Sequence, residues 1–152
     1  MTAVRIRVVV WRKKTENRSL EVLWIRRPAT VRKFPLKVNL PGGKPDPTDK
    51  AEHALLMPRD VAIRELREEA GISIDPKLLT YVGSVGISHP HYPRGCLTVY
   101  FHVEVADNSC LQVNQEDAHE WGWATPAEVC NLDPVPGTME MLDLFVERID
   151  TS

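Results

Sequence analysis

Cysteine is scarce in this chain. Cys96, Cys110 and Cys130 are three in 152 residues, an odd number without a CxxC spacing. That argues against a disulfide framework and against a cysteine zinc site. Cys96 lies in a strand-like run and reads as a small core residue. No apolar presegment of secretory type opens the chain, so a reduced, intracellular protein is expected, cytoplasmic by default. No run approaches the roughly 18 apolar residues of a membrane span, and no membrane partner is expected. Net charge is also small, −2 with an isoelectric point near 6.2, so no global basic field draws the protein to nucleic acid and any polyanion site must be local. There is no internal repeat and no low-complexity tract.

What is present is an ordinary globular composition, 43% hydrophobic and 26% charged, which suits one domain over residues 1–152 with a sizeable core. Val4 to Trp11 alternates and is rich in β-branched residues, as a strand should be. Leu20 to Ile25 follows a polar turn and pairs with it as a hairpin. Residues 26–44 read as an irregular, proline- and glycine-containing segment of the kind that carries ligand loops. Leu78 to Ile87 and Leu97 to Val105 read as strands joined by a turn over His89–Gly95, and Trp121 to Ala124 as a short strand. Thr125-Pro126-Ala127-Glu128 has the cap, N1 proline and acidic first turn that open a helix. A last helix from about Thr138 to Arg148 is expected to turn Met139, Leu142, Leu144, Phe145 and Ile149 inward. The class is α/β or α+β with a mixed sheet.

The most informative stretch is Arg64 to Ile72, Arg-Glu-Leu-Arg-Glu-Glu-Ala-Gly-Ile, twenty-one residues after Gly43. On a helix, Glu65, Glu68 and Glu69 fall within an arc of roughly 100°. Ala62, Ile63, Leu66 and Ala70 form the adjoining apolar stripe, and Arg64 and Arg67 lie on the far flank. Three carboxylates about 5 Å apart repel by about 3 kcal/mol per pair at an effective dielectric near 20, which a divalent cation would more than reverse. A solvated acidic surface, with Arg64 pairing to Glu68, is the competing reading. Gly71 suits a left-handed cap, Pro58 the first helical turn, and Leu40-Pro41-Gly42-Gly43 a turn whose amides approach an anion.

At this point the chain resembles the Nudix hydrolases, whose signature is G-x5-E-x7-R-E-U-x-E-E-x-G-U with U aliphatic. Arg64, Glu65, Leu66, Glu68, Glu69, Gly71 and Ile72 match every specified position of its second half. The first half departs. Six residues on from Gly43 stands Asp49 in place of Glu, and seven extra residues then precede Arg64. Glu52 is another candidate for that carboxylate, and counting back from Arg64 gives Leu56. Insertions in loops cost little closure entropy, so the longer segment is compatible with the fold.

The resemblance implies an α/β/α sandwich around a mixed sheet and hydrolysis of a phosphoanhydride in a nucleoside-diphosphate-linked substrate, with Mg²⁺ or Mn²⁺ as cofactor. It also implies that Glu68, Glu69 and the Gly43 carbonyl hold the metal, that Glu65 is a ligand or base, and that Arg64 orients a glutamate. A further acid is implied ahead of the tryptophan strand, where Glu116 has the best spacing and Asp117 and Glu120 are rivals.

Between Val22 and Pro45 the sequence holds Arg26, Arg27, Arg32, Lys33, Lys37 and Lys44 and no acid. Arg27, Arg32 and Lys44 are the expected phosphate binders. Leu23, Arg27, Arg32, Pro41, Gly42 and Gly43 also fall in register with the coenzyme A diphosphatase subgroup. Val22, Trp24, Pro28, Leu36 and Leu40 depart from it, Leu36 standing where that subgroup has glycine. His89, His91 and Tyr92, near Arg94, could contact a base or sugar, although loop histidines are more often simply solvated.

The expected partner is a small nucleotide. Nucleic acid enters only as a capped or triphosphorylated 5′ end, and a homodimer is left open. The altered first half of the signature also leaves an alternative function, a catalytically weak nucleotide-binding or scaffold protein.

Overall fold

A computed structural model describes residues 3–45 and 57–150. Strands β1 (Ala3–Lys13) and β2 (Leu20–Arg26) form the expected hairpin, with Trp11 opposite Val22 and Lys13 opposite Leu20. The hairpin then splays. Toward its open end β2 pairs with β3 (Val38–Asn39) and β1 pairs with β4 (Gly42–Gly43), so the segment read from sequence as irregular drives a wedge of strand into the fork. On its other edge β2 pairs with β7 (Glu120–Ala124). β1 runs parallel to β6 (Tyr92–Glu104) from Ala3 opposite Cys96 to Trp11 opposite Glu104, and β5 (Thr80–His89) lies antiparallel beyond β6. The described sheet therefore has seven strands and is mixed.

Period-two alternation along β1 sorts its side chains onto two cores. Ile6, Val8 and Val10 pack with Val61, Ala62, Leu66 and Ala70 of α1 (Met57–Ala70) on one face. Val9 and Trp11 pack with Met141, Leu142 and Phe145 of α3 (Thr138–Asp150) on the other, where short α2 (Pro126–Val129) also contributes Val129. Thr125 and Glu128 close the expected capping box on α2.

Several boundaries differ from expectation. The turn expected over His89–Gly95 is only Pro90–His91. His89 already pairs with Tyr92, and a register shift between Ile87 and His89 absorbs Pro93 and Gly95, the latter at φ +82°. A bulge is where a strand tolerates both residue types. Leu78 is not in β5 but ends a 3₁₀ turn, Pro76–Leu78, which Asp75 caps by accepting from the Lys77 N–H at 2.9 Å. In α3 the innermost methionine is Met141 rather than Met139, which is only partly buried.

Candidate active site

The site forms where the wedge strand meets α1. Gly42 adopts φ +148°, and a Cβ there would stand 2.0 Å from the Ile6 carbonyl oxygen and 2.9 Å from Arg7 Cδ, so only glycine lets the chain lie this close to β1. Its N–H donates to Glu69 Oε2 at 3.2 Å. At Gly43 a Cβ would fall 2.3 Å from Glu65 Oε1. The two glycines thus seat Glu65 and Glu69 directly against the backbone of the fork.

Helix α1 ends on Gly71, at φ +67°, whose N–H donates to the Arg67 carbonyl at 3.1 Å. This stop fixes where Glu68 and Glu69 stand relative to the loop over residues 112–118. That loop is tied down by the Gln112 N–H donating to Ala70 O at 3.0 Å and the Asn114 N–H to Glu69 O at 2.8 Å.

The three glutamates are not equivalent. Burial, above all, raises the Glu65 carboxyl above the ordinary carboxylate range, against the opposing pull of Arg64. Burial also pushes Glu69 up to about 8, Arg7 opposing it and Glu65 adding to it. Glu69 acts on Glu65 in the opposite sense to burial, drawing its pKa back down. Glu68 stays more exposed and pairs with Arg64 Nη1 at 3.1 Å.

Arg64 is not on a far flank as the helical spacing suggested. Its Nη1 lies 3.0 Å from Glu65 Oε1, and its Nη2 donates to the Lys44 carbonyl at 3.1 Å, so it joins two glutamates to the glycine loop. The long side chain reaches back over the helix surface, a freedom that Cα spacing does not convey.

Among the residues put forward for the downstream acid, Glu120 is taken by an ion pair with Arg26 that ties β7 to β2. Asp117 stands at the solvent edge, its carboxyl raised by partial burial and then by Glu116 and Glu68. It also acts on Glu69. Glu116 is exposed beside it, its N–H donating to Asn114 Oδ1 at 2.9 Å. Asp49, Glu52 and Leu56 lie outside the described residues.

The basic segment divides. Arg26 donates to the Leu36 and Leu132 carbonyls, both at 3.0 Å, and Lys37 pairs with Asp133 at 2.7 Å, so both serve the fold. Arg32 is exposed, and Lys44 contributes its carbonyl to Arg64. Arg27 turns into a pocket of about 70 Å³ on the α3 face of the sheet, which Arg5, Arg7 and Lys33 also line. Burial lowers its guanidinium pKa, and Arg7 lowers it further.

Arg5 and Arg7 were not expected from the sequence. Their signal is present in the Arg5-Ile6-Arg7-Val8 alternation, which places two cations on the face opposite Ile6 and Val8. His89, His91 and Tyr92 surround Phe34 at centroid distances of 4.8, 4.9 and 6.0 Å beside this pocket.

Residues 1–144 match the NUDIX domain. The chain belongs to the Nudix family. Among solved structures it is similar to the NUDIX domain of Shewanella oneidensis NrtR complexed with ADP ribose, with a TM-score of 0.78 and 17% identity over 98% of this chain and 89% of that one. A C. elegans Ap4A hydrolase binary complex gives 0.75 and 16% over 99% and 100%. The NUDIX hydrolase of Alicyclobacillus acidocaldarius gives 0.74 and 20% over 94% and 90%. At these identities the structural likeness is one of fold. Family membership makes the chain a Nudix pyrophosphohydrolase acting on nucleoside-diphosphate-linked substrates. No helix of the described residues is long and apolar enough to cross a membrane.

The Nudix helix offers oxygen donors only: the three glutamates and, across the fork, the Gly43 carbonyl. Among the described residues no three His, Cys, Asp or Glu side chains converge as a ready-made metal cage. Mg²⁺ does not need one, since it is held by one or two carboxylates, waters and substrate phosphate. The side-chain-free surface at Gly43, which a Cβ would fill, and the hard donor set both fit such an ion.

Proposed function

We propose that the chain hydrolyses a phosphoanhydride of its nucleotide substrate with Mg²⁺ or Mn²⁺, using Glu65, Glu68, Glu69 and the Gly43 carbonyl to hold the ion. The observation that carries this reading is the placement of Gly42 between Arg7 and Glu69, with guanidinium on one side and carboxylates on the other. When bound, the ion would neutralise phosphate charge and acidify water. Arg7 and Arg27 face the same fork and offer guanidinium donors to the substrate's phosphate chain. Arg64 positions Glu65 and Glu68.

Glu65, paired with Arg64 and partly buried, accepts the proton of the attacking water. Asp117 is the additional acid from the downstream loop, favoured over Glu116 because Glu68 acts on it and it in turn acts on Glu69.

Coenzyme A belongs among the substrates to be assayed. Leu36, which stands where the coenzyme A diphosphatases have glycine, keeps a left-handed backbone at φ +60° and directs an exposed side chain to solvent. Capped and triphosphorylated RNA 5′ ends share the same bond chemistry.

The test incubates the protein with Mg²⁺ and a panel of coenzyme A, ADP-ribose, diadenosine tetraphosphate, nucleoside triphosphates and capped RNA. Turnover is expected with at least one. Glu68→Gln and Glu69→Gln should each lower kcat by about two orders of magnitude or more with the fold retained. Ligand-induced stabilisation without any turnover would instead make the chain a nucleotide-binding protein.

A further inference from the structure

We propose that the pocket lined by Arg5, Arg7, Arg27 and Lys33 is a subsite for a phosphate beyond the two that share the cleaved anhydride. The preferred substrate would then carry a chain of three or more phosphates, as a nucleoside triphosphate or dinucleoside polyphosphate does, rather than being a nucleotide sugar. This rests on the hydrolytic reading above.

Among the described residues the cations make no direct ion pair, and Glu69 acts on Arg7 and Arg27 only from across Gly42. Arg12, Arg26, Lys37 and Arg64 each have a carboxylate within ion-pair distance, whereas among the described residues none of the four pocket cations does. No acid lines the pocket either. Like charges gathered around one pocket repel, and an anion relieves that repulsion.

The walls are built for a small polar guest. Asn39, Thr98 and Tyr100 supply polar groups from residues that are themselves buried. Burial pushes the Tyr100 hydroxyl up to about 12, so it remains a neutral donor. Cations and polar groups together suit a phosphate group.

The cations are also held in place. Lys33 Nζ lies 4.4 Å and Arg5 Cζ 5.6 Å from the centre of the Tyr92 ring. Arg27 Nε donates to the Lys33 carbonyl at 3.0 Å. Phe34, next to Lys33, is buried in a left-handed conformation at φ +51° and clamped by His89 and His91. A bulky residue held there is a local strain of the kind that recurs at ligand clamps.

The experiment compares kcat/KM for diadenosine tetraphosphate and for ADP-ribose, with Mg²⁺, in the wild type and in Arg5→Gln, Lys33→Gln and the double variant. The wild type should favour the polyphosphate, and the ratio of the two kcat/KM values should fall by about tenfold or more in the double variant, mainly through KM. In EDTA, inorganic tripolyphosphate should raise the melting temperature of the wild type but not of the double variant. An unchanged ratio, a wild-type preference for ADP-ribose, or equal stabilisation of both proteins by tripolyphosphate would overturn the subsite while leaving the metal-assisted reaction standing. Failure of the wild type to turn over either substrate, or any other in the panel above, would sink the hydrolytic reading and the subsite with it.

Discussion

Helix α3 lays Met141, Leu142 and Phe145 against one face of the sheet with almost no solvent contact, and all of its acids, Glu140, Asp143, Glu147 and Asp150, stand in water. Helix α1 covers the other face with the smaller set Val61, Ala62, Leu66 and Ala70, and draws Glu65 and Glu69 inward against the Gly42–Gly43 backbone. One helix keeps its acids at the exposed surface. The other keeps two half-satisfied carboxylates beside a fork in the sheet, at the expense of stability. The difference shows which helix is there to hold the sheet and which is there to present chemistry.

The contrast breaks most visibly in the α3 core. Phe145 is fully buried, its ring 5.9 Å from Trp11 and 5.4 Å from His102. Phe145→Ala should therefore cost about 3–5 kcal/mol in denaturant unfolding, with kcat of the protein that remains folded nearly unchanged.

The second effect is a pH dependence confined to α1. Glu69 is raised above its unfolded value, so its contribution to stability is complete at pH below the ordinary carboxylate range and is lost as pH climbs toward about 8. The metal-free protein should lose melting temperature between pH 5 and pH 8 by roughly several degrees more than Glu69→Gln does. Parallel curves for the two would mean that Glu69 is not desolvated in the fold.

Gly43→Ala gives a smaller and more local change. The new Cβ meets Glu65 Oε1 at 2.3 Å and must displace that carboxylate. A fall of about tenfold in kcat is expected, with the melting temperature little altered, because the far end of a side chain can move where backbone cannot. Smallest of all, Arg26→Ala removes ties from β2 to Glu120, Leu36 and Leu132. It should cost about 1–2 kcal/mol in stability and leave KM unchanged, since this arginine belongs to the frame.

How far the sequence could be read follows the same division. The long alternating strands, the capped α2 and the amphipathic α3 were legible because their periodicity reflects burial on one face. β3 and β4 were not, as two-residue strands carry no period and the wedge exists only because β1 and β2 splay around it. Within the site, the glutamates could be found from their spacing and family pattern. Arg7 could not, although it faces Glu69, because an arginine in a strand looks like a solvated outer face until the neighbouring strands enclose it. Arg64 was misplaced by helical spacing for a related reason, since its reach is set by four flexible torsions rather than by its Cα. Arg27 and Arg26 adjoin in sequence yet serve the pocket and the frame respectively.

Glu65, Glu68 and Glu69, seated against the glycine fork, are proposed to grip a divalent cation. Titrating Mn²⁺ into the substrate-free protein, followed by electron paramagnetic resonance, tests this most directly. Wild-type protein should take up one ion, and Glu69→Gln should weaken that binding by about tenfold or more. Equal Mn²⁺ affinity in the two proteins would contradict the account.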